Sequence, residues 1–324
     1  MSSMIPIPAS GTCMRTVVYG FATCVRLHGP VHIPSQTIGV RSSPSNEQLC
    51  ARRGVKLATR AATAYEVAFT SEQPYYVLPD KRSMLQKITV VKTWQFAGDH
   101  DMKEVAGATA LILDASGSIH SLFREDTVIT GSYWDACSLL PPLIPDGPIG
   151  ILGLGAGTVA RTMHHFWPGV KMEGWDLDGS IYPVAREHMG LQQLEDSGAL
   201  VCHTGDALAD DAVVQGGFAG IVVDLFAEGQ ILPALCEVDV WKQLAQRLRP
   251  GGRIIANISD SSAVAHAIAE VFPGAQGHLP LNEATRNCIA LTGPAVGEEV
   301  WQSFPKQLAH CTTGWTRLRD MNWD

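Results

Sequence analysis

The sequence lacks several features that point to particular classes of protein. Its eight cysteines are dispersed, with neither a C-x-x-C pair nor a Cys/His cluster at zinc-finger spacing, which argues against a metal site. It has no apolar run of about 18 residues, the length that predicts a membrane span. Basic residues are in the minority, with 24 Lys and Arg against 32 Asp and Glu, and the net charge is -8. We therefore expect no metal, no membrane partner and no nucleic-acid partner.

Acidic residues are scarce at the start of the chain. Residues 1–60 hold seven basic residues and one acid, Glu47, so the remaining residues hold 17 basic and 31 acidic side chains. A head rich in Arg and Ser, poor in acids and interrupted by prolines is typical of an organelle transit peptide, and its lack of helical periodicity favours the plastid stroma over the mitochondrion. A disordered tail on a cytoplasmic protein is the alternative. We leave this head out of the fold prediction.

The whole sequence is 46% hydrophobic, which is enough for a sizeable core. The chain after the head divides into two parts. Alternating apolar and polar residues from residue 84, followed by turn residues at 115–118, predict a small β-rich unit over 75–130. We expect the second part, residues 131–324, to open with a short helix over 131–144 that Pro141 and Pro142 end. A C-terminal helix carrying the tryptophans beyond residue 300 is expected to dock on the core.

Short apolar runs alternate with helical stretches from residue 149, a pattern typical of a parallel sheet built from βαβ units. The predicted strands are 149–154, 171–176, 199–203, 220–225, 253–258 and 288–292, and the predicted helices are 159–166, 181–189, 238–248 and 261–272. The fold class is therefore α/β, a doubly wound sheet preceded by a small β unit.

The first βα junction of this sheet is rich in glycine. Gly153, Gly155, Ala156 and Gly157 follow an apolar strand and precede a helix, so the backbone can approach a ligand and direct amide N–H groups at it. The same turn could open a dinucleotide-binding fold, although Thr158 stands where that fingerprint requires Gly or Ala. The loop alone is therefore weak evidence.

Carboxylates follow the next three strands. Asp176 ends the second strand, Asp206 and Ala207 follow the third, and Asp224 ends the fourth. Each alone is more often a turn or helix-cap residue than a ligand contact. Because open α/β sheets bind ligands at the carboxyl ends of their strands, three acids in successive positions indicate a site there. Asp176 is predicted to accept bonds from a ribose, Asp206 from an adenine amine, and Asp224 to lie at the reacting end.

Together these residues resemble the Rossmann-like S-adenosylmethionine-dependent methyltransferase superfamily, and within it the spermidine synthase-like branch. The resemblance covers roughly residues 84–292 and includes the segments around Gln86, Asp114 and Tyr133. It implies a small-molecule acceptor, a possible homodimer, and S-adenosylmethionine or its decarboxylated form as the bound nucleoside. It also implies that Gly153, Gly155, Ala156 and Gly157 hold the methionine part, that Tyr133 and Asp224 are catalytic, and that Gln86, Asp114 and Glu228 form the rim.

The chain departs from the aminopropyltransferases of this branch at two places. Ala156 stands where they carry an acid in the glycine loop, and Leu225, Phe226 and Ala227 replace a second acid after the fourth strand. A polyamine binds through ammonium groups and must lose a proton before it attacks, and carboxylates serve both needs. Methyl transfer depends more on alignment of the acceptor. The sequence therefore favours a methyltransferase, with an aminopropyltransferase as the alternative.

Two other classes of function are weighed. A non-catalytic family member acting as a binding module is favoured by the apolar residues after Asp224, in particular if Phe226 fills the acceptor space. A nicotinamide-dependent oxidoreductase is disfavoured by Thr158 and by the acids after the third and fourth strands.

Overall fold

The computed structural model of the chain describes residues 65–77, 83–93, 108–113, 119–227, 229–278 and 287–323, the first two ranges by their backbone. The predicted head at 1–60 lies outside the described residues. Within these ranges, no helix combines the length and the apolar character that crossing a bilayer requires.

The N-terminal part is an antiparallel sheet of four strands in sequence order. Its strands are β1 (Tyr65–Val77), β2 (Ser83–Thr93), β3 (Thr109–Ile112) and β4 (Ile119–Phe123). β1 begins before the predicted start of this unit at residue 75, because the alternation runs upstream of Pro74, which lies at a register shift where a missing N–H is tolerated. A register shift between β3 and β4 makes His120 an extra residue of β4, between the partners of Leu111 and Ile112.

The larger part is built on an eight-stranded sheet in the order β14-β12-β13-β11-β8-β5-β6-β7. Its strands are β5 (Ile149–Leu152), β6 (Met172–Asp176), β7 (Leu200–Thr204), β8 (Phe218–Val223), β11 (Leu248–Ser259), β12 (Gln276–His278), β13 (Cys288–Leu291) and β14 (Thr316–Arg317). The strands from β11 to β7 are parallel, and β12, β13 and β14 pair antiparallel to their neighbours. A two-stranded hairpin, β9 (Phe226–Ala227) and β10 (Gln230–Ile231), follows β8.

The helices are α1 (Tyr133–Cys137), α2 (Thr158–Phe166), α3 (Ile181–His188), α4 (Leu191–Asp196), α5 (Val238–Gln246), α6 (Ser262–Val271) and α7 (Glu298–Gln302). Their buried residues pack against both faces of the sheet, since neighbouring strand residues such as Ile151 and Leu152 belong to two different apolar clusters. The predicted strands and helices of the α/β part are confirmed within a few residues at their ends.

Two predicted helices differ from the structure. The helix expected over 131–144 ends at Cys137, and Pro141–Leu143 form a separate 3-10 turn, since proline is compatible with a first helical turn. The tryptophans beyond residue 300 dock without a long helix. α7 covers Glu298–Gln302 and is followed by a 3-10 helix, Lys306–Cys311, and the rings of Trp301 and Trp315 stack with their centroids 5.4 Å apart.

Candidate functional site

The candidate site lies where the order of the parallel strands reverses. β5 is followed in the sheet by β6 and β7 on one side and by β8 and β11 on the other. The chain therefore leaves β5 toward one side of the sheet and β8 toward the other. Such a switch point in the strand order is where open α/β sheets bind ligands. The backbone N–H of Asp224 donates to the carbonyl of Leu152 over 2.9 Å, which joins the two loops at this point.

The glycine loop after β5 depends on backbone conformations that other residues rarely adopt. Gly153, Gly155 and Gly157 have φ values of +90°, +53° and +80°. A Cβ on Gly153 would overlap the carbonyl oxygen of Asp224, and one on Gly155 would lie 2.6 Å from the hydroxyl oxygen of Ser121. These glycines allow the loop to pass between the end of β8 and strand β4.

The amide groups of this loop differ from the sequence prediction, which directed them at a ligand. The Gly155 N–H donates to Asp176 Oδ2 over 2.9 Å, and the Ala156 N–H donates to Ser121 Oγ over 2.9 Å. The N–H groups of Gly153 and Gly157 donate to the carbonyls of Trp175 and Leu154. The loop donors are used inside the chain because β4 and Asp176 pack directly against them.

Asp176 ends β6 beside the glycine loop. Its two carboxylate oxygens each accept one backbone N–H, Oδ2 from Gly155 and Oδ1 from Asp178 over 3.2 Å. Burial is the largest influence on this group and raises the pKa of the Asp176 carboxyl, which the two N–H bonds partly offset. A carboxylate accepts about two bonds at each oxygen, so Asp176 keeps acceptor capacity for the hydroxyls of a ribose.

Asp224 is held by two donors that come from other elements. The phenol of Tyr133 donates to Asp224 Oδ2 over 3.1 Å, and Nδ2 of Asn257 donates to Oδ1 over 3.0 Å. Burial raises the pKa of Asp224 to about 6, with both hydrogen bonds acting in the opposite direction. A carboxyl with this pKa can exchange a proton near neutral pH, which suits a general base.

Tyr133 serves as a hydrogen-bond donor in this arrangement. Burial and the neighbouring charge of Asp224 raise its pKa well above the usual value, so the phenol keeps its proton. The ring also packs on Trp134 with centroids 4.5 Å apart. Tyr133 therefore lies beside Asp224, and the catalytic role predicted for it stays a prediction.

Asp135 fixes the segment that presents Tyr133. Its carboxylate is fully buried and accepts from the N–H groups of Thr130 and Gly131 over 3.0 and 2.7 Å, and from the Thr130 hydroxyl over 2.8 Å. Nε2 of His310 lies 3.1 Å from its Oδ2. The start of α1 is thereby connected to the 3-10 helix Lys306–Cys311, which contains His310.

The other predicted residues are placed less directly. Asp206 is exposed and its Oδ1 accepts from the Leu208 N–H over 2.9 Å, the bond of a turn cap, while Ala207 is buried. Gln86 lies in β2 opposite Gln73, and nothing of its side chain is described. Asp114 and Glu228 lie outside the described residues. The roles predicted for these residues stay predictions.

Asn257 and Ser121 are contacts that the sequence prediction missed. Asn257 is a polar residue, 1% exposed, inside an apolar strand beside β8, and that break in the pattern was the available signal. Ser121 lies in a short strand, and its sequence gave no signal. Among the described residues, no cluster of three His, Cys, Asp or Glu side chains is arranged to hold a metal ion.

Comparison with known proteins gives one curated relative and several solved structures, and no family model matches. A probable polyamine aminopropyl transferase of Bifidobacterium longum is 26% identical over 180 residues, which is 53% of this chain and 39% of the relative. The match thus spans about two fifths of the relative's length.

Two solved structures share the fold. The spermidine synthase of Thermotoga maritima matches with a TM-score of 0.54 and 16% identity, over 75% of this chain and 79% of that one. A probable spermidine synthase of Corynebacterium glutamicum matches with a TM-score of 0.52 and 17% identity, over 77% of this chain and 89% of that one. These matches confirm the predicted resemblance at the level of architecture: the chain has a spermidine synthase-like, Rossmann-like α/β fold with a small N-terminal sheet.

Proposed function

We propose that the protein transfers an aminopropyl group from decarboxylated S-adenosylmethionine to an amine. The observation that carries this proposal is the half-buried Asp224 carboxylate, held by Tyr133 and Asn257 beside the glycine loop. The similarity to a probable polyamine aminopropyl transferase adds support, and it reverses the preference for methyl transfer drawn from the sequence.

Each residue has a task in this reaction. Asp176 would bind the ribose hydroxyls and Asp206 the adenine amine, so that the reacting end of the donor points toward Asp224. The acceptor amine attacks the carbon of the aminopropyl group that is bonded to sulfur, a C–N bond forms, and the C–S electron pair returns to sulfur. Asp224 takes the proton that the amine loses, and with a pKa of about 6 it is ionised and ready at neutral pH. Tyr133 holds the carboxylate in place for that transfer.

Methyl transfer from S-adenosylmethionine is the second candidate. Its support is Ala156, which is fully buried and offers no group to bind the amine of the donor. The residues after Asp224 also support methyl transfer, because Phe226 and Ala227 stand where the aminopropyltransferases carry a second acid. These two residues form β9 and pair with β10. Either reaction requires a bound nucleoside and an acceptor, and they differ in the donor that is used.

Calorimetric titration of the full chain with both forms of S-adenosylmethionine tests the proposal. We expect the decarboxylated form to bind more tightly, and incubation with it and putrescine or spermidine to yield an aminopropylated amine detectable by mass spectrometry. Asp224→Asn should lower product formation by about 10²- to 10⁴-fold. Asp126→Asn, which changes an exposed aspartate paired with Arg124, should not. Preference for the carboxylated form with methylated product would overturn the proposal in favour of the second candidate. Binding without turnover would favour the binding module, and absence of binding would overturn both transferase proposals.

A plastid location and a homodimer are further proposals. Import of a fluorescent fusion into plastids that requires residues 1–60 would support the first. A mass of twice the chain by light scattering would support the second.

A further inference from the structure

Arg161 of helix α2 has an unusual set of partners. Its guanidinium donates to three backbone carbonyls, those of Ala156 over 2.7 Å, Met189 over 2.8 Å and Leu122 over 2.7 Å. Its fourth acceptor is the Thr158 hydroxyl over 3.4 Å, and the group lies over the Phe123 ring at 5.2 Å from its centroid. No carboxylate among the described residues pairs with it.

Placing a cation against neutral carbonyls is costly. Burial lowers the pKa of Arg161 to about 9, which reflects the loss of water without a compensating negative charge. A fixed fork of donors can meet several carbonyls at once, which a lysine ammonium cannot do in the same geometry. The three carbonyls belong to the glycine loop, to β4 and to the segment after α3. The interaction therefore joins three elements that lie far apart in the sequence.

Ser121 of β4 meets the same loop residue from the other side. Its hydroxyl accepts the Ala156 N–H over 2.9 Å and donates to the His120 carbonyl over 2.7 Å. The backbone N–H and C=O of Ala156 are thus both taken, one by Ser121 and the other by Arg161. Thr158 completes the contact, because its hydroxyl accepts from the Leu122 N–H over 2.9 Å and donates to the Leu122 carbonyl over 3.0 Å.

We propose that Arg161 and Ser121 are positioning residues for the glycine loop, which hold Ala156 between strand β4 and helix α2 so that the loop keeps its nucleoside-binding shape. On this proposal the N-terminal sheet, through Ser121 of β4, contributes to the shape of the nucleoside-binding loop. The effect on ligand affinity rests on the proposed nucleoside binding, whereas the effect on the loop itself does not.

Arg161→Lys and Ser121→Ala test this proposal against a matched control, Arg186→Lys. Arg186 makes two bonds to Glu195 and lies over the Tyr182 ring at 5.9 Å, as Arg161 lies over Phe123, but it makes none of these bonds to the glycine loop. Amide hydrogen exchange over residues 153–158 is measured on the full chain without ligand. We expect exchange there to speed up about tenfold or more in Arg161→Lys and severalfold in Ser121→Ala. Exchange in α5 and α6 should stay unchanged, and Arg186→Lys should match the wild type throughout.

Calorimetric affinity for whichever form of S-adenosylmethionine the wild type binds is the second readout, taken well below the melting temperature. We expect a loss of about tenfold for Arg161→Lys and less than twofold for Arg186→Lys. If Arg161→Lys folds and its loop exchanges at the wild-type rate, the proposal is overturned. Exchange that is faster by the same factor over the whole chain also overturns it, because that result indicates a purely structural role. If Arg161→Lys does not fold, Ser121→Ala decides on the same criteria. A wild type that binds neither form refutes the proposed function alone, because loop exchange still tests the positioning.

Discussion

Asp224→Asn should make the protein more stable at neutral pH while removing its activity. The native state raises the pKa of Asp224 from 3.8 to about 6 through burial, so the native state holds this proton more tightly than the unfolded chain does. Well below pH 4 the group is protonated in both states, and its burial changes the stability little. Between about pH 4 and pH 6 the unfolded chain releases this proton while the native state still holds it, so the free energy of unfolding falls with rising pH and levels off above about pH 6. The wild type should therefore lose free energy of unfolding between pH 4 and pH 7.5.

The size of this loss follows from the shift. Roughly two pKa units at about 1.4 kcal/mol each give an upper limit of about 3 kcal/mol. Asp224 is half-buried, and water at its exposed side lowers this to about 2 kcal/mol. An asparagine has the shape of the protonated acid and can keep the contacts with Tyr133 and Asn257. Asp224→Asn should consequently match the wild type at pH 4 and exceed it by about 2 kcal/mol at pH 7.5.

Urea denaturation of both proteins at several pH values measures this difference, and product formation at pH 7.5 should fall by about 10²- to 10⁴-fold if Asp224 is the base. Asp126→Asn is the control of opposite sign, because Arg124 lowers the pKa of Asp126 and its carboxylate stabilises the native state as the pH rises. Parallel stability curves for the wild type and Asp224→Asn would refute the reasoning, since they would mean that Asp224 titrates alike in both states.

Three further changes test the surroundings of Asp224. Tyr133→Phe removes a bond to the ionised carboxylate, so the ascending limb of kcat/KM against pH should move up by about one unit; an unmoved limb contradicts the assigned contact. Gly153→Ala should cost about 3 kcal/mol or more in denaturant unfolding, because its φ of +90° is strained for alanine and the new Cβ meets the Asp224 carbonyl. Gly169→Ala, with open space around it, should stay within about 0.5 kcal/mol. Asp135→Asn places an amide against N–H donors and should cost about 2–4 kcal/mol by the same measurement, and a cost under about 1 kcal/mol would show that the loop relaxes.

The strands and helices of the α/β part could be predicted because periodicity is local. The strands predicted at 149–154 and 220–225 are short apolar runs, and Gly157 marks the start of α2 with a left-handed conformation that glycine favours. The helix predicted over 131–144 was too long because Leu139 and Leu140 continue the apolar pattern, while they pack in the core beyond the end of the helix. The short strand β12 pairs with β13 and with β14, and β14 pairs with β12. Such pairing between distant segments leaves no local pattern in the sequence, so these two strands were not predicted.

The residue pattern predicted the site only where its residues follow a strand, whereas Tyr133 was predicted from the family resemblance alone. Asp176 and Asp224 were found because strand ends in a parallel sheet converge. Asn257, Ser121 and Arg161 were missed as contacts because each acts on a partner that the fold, and not the chain order, brings near. Ser121 and Ala156 are 35 positions apart, and Arg161 and Leu122 are 39 apart. The sequence supplies such side chains without indicating their partners.

The base proposed at Asp224 would not by itself distinguish the two candidate reactions. Any amine acceptor enters protonated and must lose a proton, whether it receives a methyl or an aminopropyl group. The distinction depends on how the chain treats the amino-acid end of the donor, where the decarboxylated form lacks a negative charge. Asp224 and Asp176 put two acids at the site, and their field disfavours a donor carboxylate and favours a donor amine. Ala156 replaces the acid that would contact that amine in the aminopropyltransferases. It does not supply a cation that would bind a donor carboxylate. Under the proposed function we therefore expect this balance of charge to favour the decarboxylated donor, and the comparative titration measures that preference directly.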